Sequence, residues 1–487
     1  MMMIWTGRNQ IVFTIILFFS LTVSSTSQLF NWEKEYGGDT TMMGFDIIET
    51  FDNNYVVVGY YGPSKKSYIL KMNSIGDTLW MKVFNTPLNS EAIGVVETED
   101  YGYLIVSNFF NYQLNIDNVL LTKTNMNGDT IWNRTYTADL ECFARNVTKT
   151  NLNSFLITGF CIENDTAKSW LLSIDSLGNR IWEKTFKRGV NSRIDDAIQI
   201  IPNYYLFIGE YSETFFESTV SSLWVAKIDN FGNILIEKTY QRFPNQFPQK
   251  IINTSDGKFI AITNKANLPS EDDIWLIKLD EMCDTIWTKE FPTEHRTIGL
   301  SIKENTDGTL FSIGYQHPPN SYSARDVLLI KYSSNGEILW QQLYGTGFQE
   351  SGNEIVLSNN KIVILANRYN SSTWNHNLWI FEVYDNTSSV SSVKSEFNFH
   401  LYNNYPNPFN PSTVIQFELN QFSNFKLIIF DALGKVVKTW EGEKPEGLYS
   451  FQWDGKDKNQ LDIVSGVYFY QLIVSNSIQT KKLMLIR

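Results

Sequence analysis

The chain has 487 residues, more than one ordinary domain holds, so two or more units are expected. Its 43% hydrophobic and 19% charged content suits packed globular structure and excludes a disordered chain. Lys and Arg total 40 against 52 Asp and Glu, a net charge of −12, and no basic stripe is present, which argues against a nucleic-acid partner. Aromatic residues reach 15%, an enrichment that favours strands.

The chain opens with a targeting pattern. Arg8 precedes an apolar run from Ile11 to Val23 that is too short to span a bilayer. Ser25-Thr26-Ser27 then offers small residues for cleavage before Gln28. Residues 1–27 are therefore expected to be a signal peptide; the competing reading is an uncleaved anchor, which calls for a longer apolar run. No later run of 18 apolar residues follows, so no transmembrane segment is expected in the mature chain. The expected localisation is secreted or at the outer cell surface.

A phrase then recurs at steps of about 50 residues, a period typical of repeat architectures. It reads YILKMNSIGDTLWMKVF from Tyr68, LLTKTNMNGDTIWNRTY from Leu120 and LLSIDSLGNRIWEKTF from Leu171. It continues as WVAKIDNFGNILIEKTY from Trp224, WLIKLDEMCDTIWTKEF from Trp275 and LLIKYSSNGEILWQQLY from Leu328. Gly76, Gly128, Gly178, Gly232 and Gly336 mark a tight hairpin turn that calls for positive φ, and Cys283 replaces Gly in the fifth copy. Trp80, Trp132, Trp182, Trp287 and Trp340 share one position, with Ile236 in the fourth copy. By the period of two, Trp182, Lys184 and Phe186 lie on one face, so packing between units is the simplest role for the repeated aromatic.

Two strands precede the phrase in each unit. FDIIET from Phe45 is echoed by AIGVVET, DAIQII and NEIVLS, and YVVVG from Tyr55 by YLIVS, FLITG, YLFIG, FIAIT, LFSIG and IVILA. Four short strands per unit form the pattern of a β-propeller blade. FNWEKEYGG from Phe30 is a Trp strand alone, and LWIFEVYD from Leu378 is its missing neighbour, so the two are expected to pair and remove the exposed edge. The expected fold is all-β: a seven-bladed β-propeller over residues 28–385, followed by a small antiparallel sandwich.

Cys142 and Cys161 flank a hairpin turning at Asn151-Leu152-Asn153, which places them almost opposite each other. Either a disulfide or two buried thiols fits, and register decides. Cys283 has no partner, and no metal-ligand spacing occurs.

The sequence holds no evident catalytic set. Sialidase boxes place Asp two before Gly, whereas Asp175 stands three before Gly178. Quinone-dependent propellers repeat Asp, Gly and Trp in a similar hairpin, but LLSIDSLGNRIW needs only a tight turn and a docking Trp. No residues for a calcium-bound quinone pocket are found, so no cofactor is expected. Long loops follow the second strand of several units: NFFNYQLNID from Asn108, EYSETFFESTVSS from Glu210, YQHPPNSYSARD from Tyr315 and NRYNSSTWNHN from Asn367. Function tends to lie on such loops. Phe109, Tyr112, Phe215, Phe216, Tyr322 and Trp374 are the candidate ligand contacts for a sugar or a protein, unless they fold down to seal the blade tops. His295, His317 and His376 fall on the same face and read as loop residues rather than a zinc site.

After a Ser-rich linker over 386–400, residues 401–487 contain YPNPFNPST, FDALGKVV, WDGKD and SGVYFYQL in that order. These motifs resemble the type A C-terminal sorting domain of type IX secretion and the related immunoglobulin-like domain of flagellar hook-capping proteins. The residues carrying the resemblance are Tyr405, Pro406, Asn407, Pro408, Phe409, Asn410, Pro411, Gly434, Trp453, Asp454, Gly455, Gly466 and Tyr468. Asn459 departs from the Gly usual after the WDG turn. The resemblance implies an immunoglobulin-like sandwich, passage across the outer membrane by the type IX machinery, and attachment to the cell surface. The competing reading is a passive stabilising sandwich. The combined expectation is an exported, non-enzymatic binding or structural propeller. Its rivals are a secreted glycan hydrolase with acids at the central channel and, third, a quinone-dependent dehydrogenase.

Overall fold

The computed structural model describes residues 30–385 and 399–486, apart from the short segments 86–88, 137–139, 151–152, 202, 214–220, 242–244, 268–270, 292–294, 319–323, 346–348, 359–360, 371–374, 402–403, 420–421, 432–434, 459–460 and 475–476. The expected signal peptide and most of the linker lie outside the described residues. Two compact units result, one within residues 1–388 and one within 389–487.

The first unit is seven four-stranded antiparallel sheets. Their first strands are Met42–Glu49, Ser90–Glu97, Glu141–Lys149, Asn191–Ile201, Asn245–Asn253, Thr297–Glu304 and Glu350–Ser358. Each packs against the first strand of the next sheet, and the seventh packs against the first. The second and third strands are covered on both faces by neighbouring sheets. They therefore read as continuous apolar runs: Val56, Val57 and Val58 are all fully buried. The fourth strand of the seventh sheet is Trp32–Tyr36, with Trp32 opposite Glu382 and Tyr36 opposite Leu378. Asn31 donates its amide to Glu382 Oε1 at 2.6 Å, and Trp32 Nε1 donates to Oε2 at 3.0 Å.

The repeated hairpin phrase is an adhesive between sheets. Five of the seven fourth strands aim a Trp at the turn glycine of the next sheet. A Cβ would meet the Trp32 ring at 2.6 Å from Gly76, Trp80 at 2.5 Å from Gly128 and Trp132 at 2.7 Å from Gly178. The same holds for Trp182 at 2.8 Å from Gly232 and Trp287 at 2.7 Å from Gly336. These five turns sit at φ near +80°, the left-handed region that glycine enters freely. Two residues beyond the Trp, a cation reaches the residue after that glycine: Lys34 to Asp77 at 2.8 Å, Lys82 to Asp129 at 3.0 Å. Two residues further, Tyr36 donates to the Gly76 carbonyl at 3.0 Å and Tyr136 to that of Gly178 at 2.5 Å. The role expected for the repeated aromatic is the one it performs.

Cys142 and Cys161 stand directly opposite on the first two strands of the third sheet, joined as a disulfide. Cys283 is buried and free.

The second unit holds a three-stranded sheet (Phe399–Leu401, Thr413–Leu419, Gly447–Trp453) and a four-stranded one (Ser423–Asp431, Val436–Lys444, Gly466–Val474, Ser477–Leu485). The first strand begins at Phe399, inside the span assigned to the linker from sequence. Both sheets contribute to one core that includes Ile415, Phe417, Leu427, Trp453, Tyr470 and Leu483.

Candidate functional site

Each of the seven first strands contains a β-bulge. It falls between Gly44 and Asp46, Ala92 and Gly94, Ala144 and Asn146, and Ile194 and Asp196. In the remaining sheets it falls between Pro248 and Lys250, Gly299 and Ser301, and Gly352 and Glu354. A bulge inserts one residue and re-aims the side chains that follow. The residues just after the bulges are Asp46, Gly94, Asn146, Asp196, Lys250, Ser301 and Glu354. They hold three carboxylates and one ammonium, and Lys303 adds a second cation beside them.

A cavity of about 400 Å³ opens among the first strands, lined by Asp46, Asn146, Asp196, Lys250 and Lys303 together with strand backbone. The charged groups answer one another across it. Glu354 Oε2 lies 3.3 Å from Lys250, and Oε1 lies 3.6 Å from Lys303. Ser301 donates to Glu354 Oε1 at 2.5 Å, and the Ile355 N–H donates to it at 3.0 Å. Asp196 accepts the Ala197 N–H at 2.9 Å, the side-chain amide of Asn146, and the Ile251 N–H of the next sheet at 2.8 Å. Asp46 accepts the Val95 N–H of the next sheet at 2.9 Å.

Electrostatics follow from this pairing. Burial pushes the carboxyls of Asp46 and Asp196 above the usual range, against the pull of Lys250. Burial acts the same way on Glu354, but Lys303, Lys250 and the hydroxyl of Ser301 outweigh it and hold the group down to about 2. Burial works to lower Lys250, and Glu354, Asp196 and Asp46 more than offset that, so it stays charged.

The sequence pointed to the long-loop face instead. Phe109 is not a loop residue: the strand Tyr103–Asn111 carries it, opposite Ser90 and Asn118, and it is buried. The expected loop from Asn108 shrinks to residues 112–115, because apolar alternation continues into the Phe109 pair and extends the hairpin. Tyr112 is 60% exposed, stacks edge-on with Phe110 and accepts a hydrogen bond from Asn89 at 2.7 Å. Phe215, Phe216, Tyr322 and Trp374 lie outside the described residues. His317 is buried beside Tyr315, and His376 lies on the strand Asn375–Tyr384 against Tyr369. Among the described residues no group of three or more His, Cys, Asp or Glu could hold a metal. No described helix is long and apolar enough to cross a membrane.

In the second unit the YPNPFNP segment is strapped to the last strand. Phe409 is buried against Trp453, donates its N–H to Met484 O at 2.9 Å and accepts that of Ile486 at 3.0 Å. Asn407 Oδ1 accepts the Met484 N–H at 2.9 Å. Tyr405 pairs by backbone with Val414 yet leaves its ring 81% exposed. Pro406 O accepts from Thr413 at 2.8 Å. Trp453 Nε1 caps the WDG turn through Lys456 O at 2.8 Å, where Gly455 takes φ 69° beside Asp454. Tyr468, two residues after Gly466, donates to Val464 O at 2.8 Å. Pro408, Asn410 and Pro411 lie in the same surface segment, and Gly434 is outside the described residues.

Residues 407–477 match the family model described as the FlgD Ig-like domain. No curated protein matches the chain. Among solved structures it is similar to Drosophila Plexin A in complex with Semaphorin 1b, at 8% identity and a TM-score of 0.41, covering 73% of this chain and 87% of that one. It is also similar to a puromycin hydrolase, at 8% identity and a TM-score of 0.45, covering 78% of this chain and 58% of that one. A third likeness is to PorZ, a surface component of the type IX secretion system of Porphyromonas gingivalis, at 10% identity and a TM-score of 0.21, covering 91% of this chain and 81% of that one.

Proposed function

We propose that the chain is an exported protein whose seven sheets close into a seven-bladed propeller acting as a binding or structural module rather than an enzyme. Residues 1–27 would direct export, and the C-terminal sandwich would serve as the sorting domain for the type IX machinery. The sandwich's match to the FlgD Ig-like domain, together with its four ordered motifs, supports that reading. Closure is supported by Asn353 and Asn367 of the seventh sheet, which both donate to Gly44 O of the first at 2.9 and 2.8 Å.

One observation carries the non-enzymatic part. Both oxygens of Asp196 and of Glu354 are taken by protein donors. A glycan hydrolase with its acids at the central cavity needs two carboxyls free there to act as acid and as base or nucleophile. Carboxylates that tie one sheet to the next are committed to the scaffold. Deletion of Asn403–Arg487 in the native host tests the sorting role: the chain should then accumulate inside the outer membrane. Undiminished extracellular protein would refute it.

A further inference from the structure

On the second strand of the second, fifth and seventh sheets, the residue after the partner of the pre-bulge position is an asparagine with a shared task. Asn108 donates to Ala144 O at 3.0 Å and accepts the Ala144 N–H at 2.8 Å. Asn264 does the same to Gly299 at 2.9 and 2.8 Å, and Asn367 to Gly44 at 2.8 and 2.9 Å. In each case a side-chain amide clamps both backbone groups of the residue before the next sheet's bulge.

The first, third and sixth sheets carry Tyr60, Phe160 and Tyr315 there instead, and the fourth sheet carries an acid. Its equivalent residue is Glu210, and the residue it would clamp is Pro248, which has no N–H to give. Glu210 instead turns to Arg193, with Oε1 at 3.4 Å from Nη1. Among the described residues its Oε2 is buried and makes no well-formed hydrogen bond, while the side chain of Ser221 helps to stabilise the carboxylate. Burial pushes this carboxyl up to about 7, against the pull of Arg193.

Beside it lies a cavity of about 180 Å³, lined by Phe160, Asn191, Arg193, Glu210 and Tyr211. At roughly 30 Å³ per water that is the space of about six water molecules, which suits one small ring and not a peptide. The surrounding charged groups are paired: Asp195 accepts from Arg145 at 3.2 Å and Arg193 at 3.0 Å, and Arg193 then meets Glu210. The set is neutral with Glu210 ionised and keeps one positive charge with Glu210 protonated, so it does not suit a cation. A carboxyl that both donates and accepts, an adjacent guanidinium and two aromatic walls match neighbouring hydroxyls set on an apolar ring face.

We infer that this cavity between the third and fourth sheets is a binding subsite for a single neutral pyranose sugar. The inference rests on the binding-module reading and gives it a ligand class. The test is saturation-transfer NMR on the full chain with free glucose, galactose, mannose, N-acetylglucosamine and glucuronic acid at millimolar concentration. At least one neutral sugar should bind, and Glu210→Gln should weaken it by about tenfold, the order of one charge-assisted hydrogen bond. Phe160→Ser should weaken it as well. No binding by any neutral sugar, binding of glucuronic acid alone, or binding indifferent to Glu210→Gln would overturn the inference. In that last case the binding-module reading would stand and this site would not.

Discussion

Ile236 and Cys283 are a compensating pair. Cys283 occupies the turn position held by glycine in five other hairpins, at φ 61°, and is fully buried. Ile236 occupies the matching Trp position on the preceding sheet and packs against the cluster that contains Cys283. Where the turn carries a side chain, the large ring that would strike it is missing. The rest of the interface is kept: Lys238 pairs with Asp284 at 2.8 Å, and Tyr240 donates to Cys283 O.

That pairing predicts a double-mutant cycle. Ile236→Trp alone should cost about 1–3 kcal/mol by overpacking against the thiol. Adding Cys283→Gly should recover most of the loss, because the pair then matches the other interfaces. Urea unfolding of the four proteins reads the coupling, and strict additivity would sink the idea.

The asparagine clamps should matter individually. Asn264 is buried and satisfies both backbone groups of Gly299. Asn264→Ala strands a donor and an acceptor, each worth about 1–3 kcal/mol when left unpaired. Thermal denaturation should show a clear fall in midpoint, whereas Tyr112→Ala on the exposed loop should leave it unchanged.

Stability should depend on pH through two acids with opposite signs. Glu210 titrates near 7 in the folded chain, so its neutral form favours folding; stability from this group is full below its ordinary value and is lost as pH rises to about 7. Glu354 is held down to about 2, so its contribution is present above its ordinary value and is lost as pH falls toward 2. Denaturation midpoints should therefore rise from pH 2 toward pH 4.5 and decline from there to 7. Glu210→Gln should make the neutral limb shallower and leave the acid limb alone, with Asp46 and Asp196, also raised by burial, keeping part of the decline; an unchanged limb would contradict the assignment.

Thiol counting checks the third sheet. The chain has three cysteines, and the Cys142–Cys161 disulfide leaves one free. Unfolded, unreduced protein from an oxidising compartment should titrate one thiol, rising to three on reduction. With a separation of 19 residues, removing the link by the double Ala variant should cost about 3 kcal/mol.

Much of the scaffold was legible because packing residues repeat. The Gly turn, the Trp and the Lys recur at fixed spacing, and their contacts between sheets follow from that spacing. The ring at the bulges was harder, since its seven members differ in chemistry and no consensus marks them. A signal was present: FDIIET, DAIQII and NEIVLS each open on an acid or place one second, which are Asp46, Asp196 and Glu354. The loop aromatics misled at Phe109, where a strand continued further than the turn signal suggested. Glu210 was unreadable from sequence, because its meaning depends on Pro248 in another sheet.

The most direct test of the scaffold role of the central carboxylates is Asp196→Asn in the full chain. The new amide N–H would face donors from Asn146, Ala197 or Ile251, so the variant should lose about 2–4 kcal/mol of stability. Melting and release of reducing sugar from a polysaccharide panel are measured on the same samples. The account predicts a lowered melting midpoint and no release by either protein. Release by the native chain, abolished in a variant that melts like it, would contradict the account.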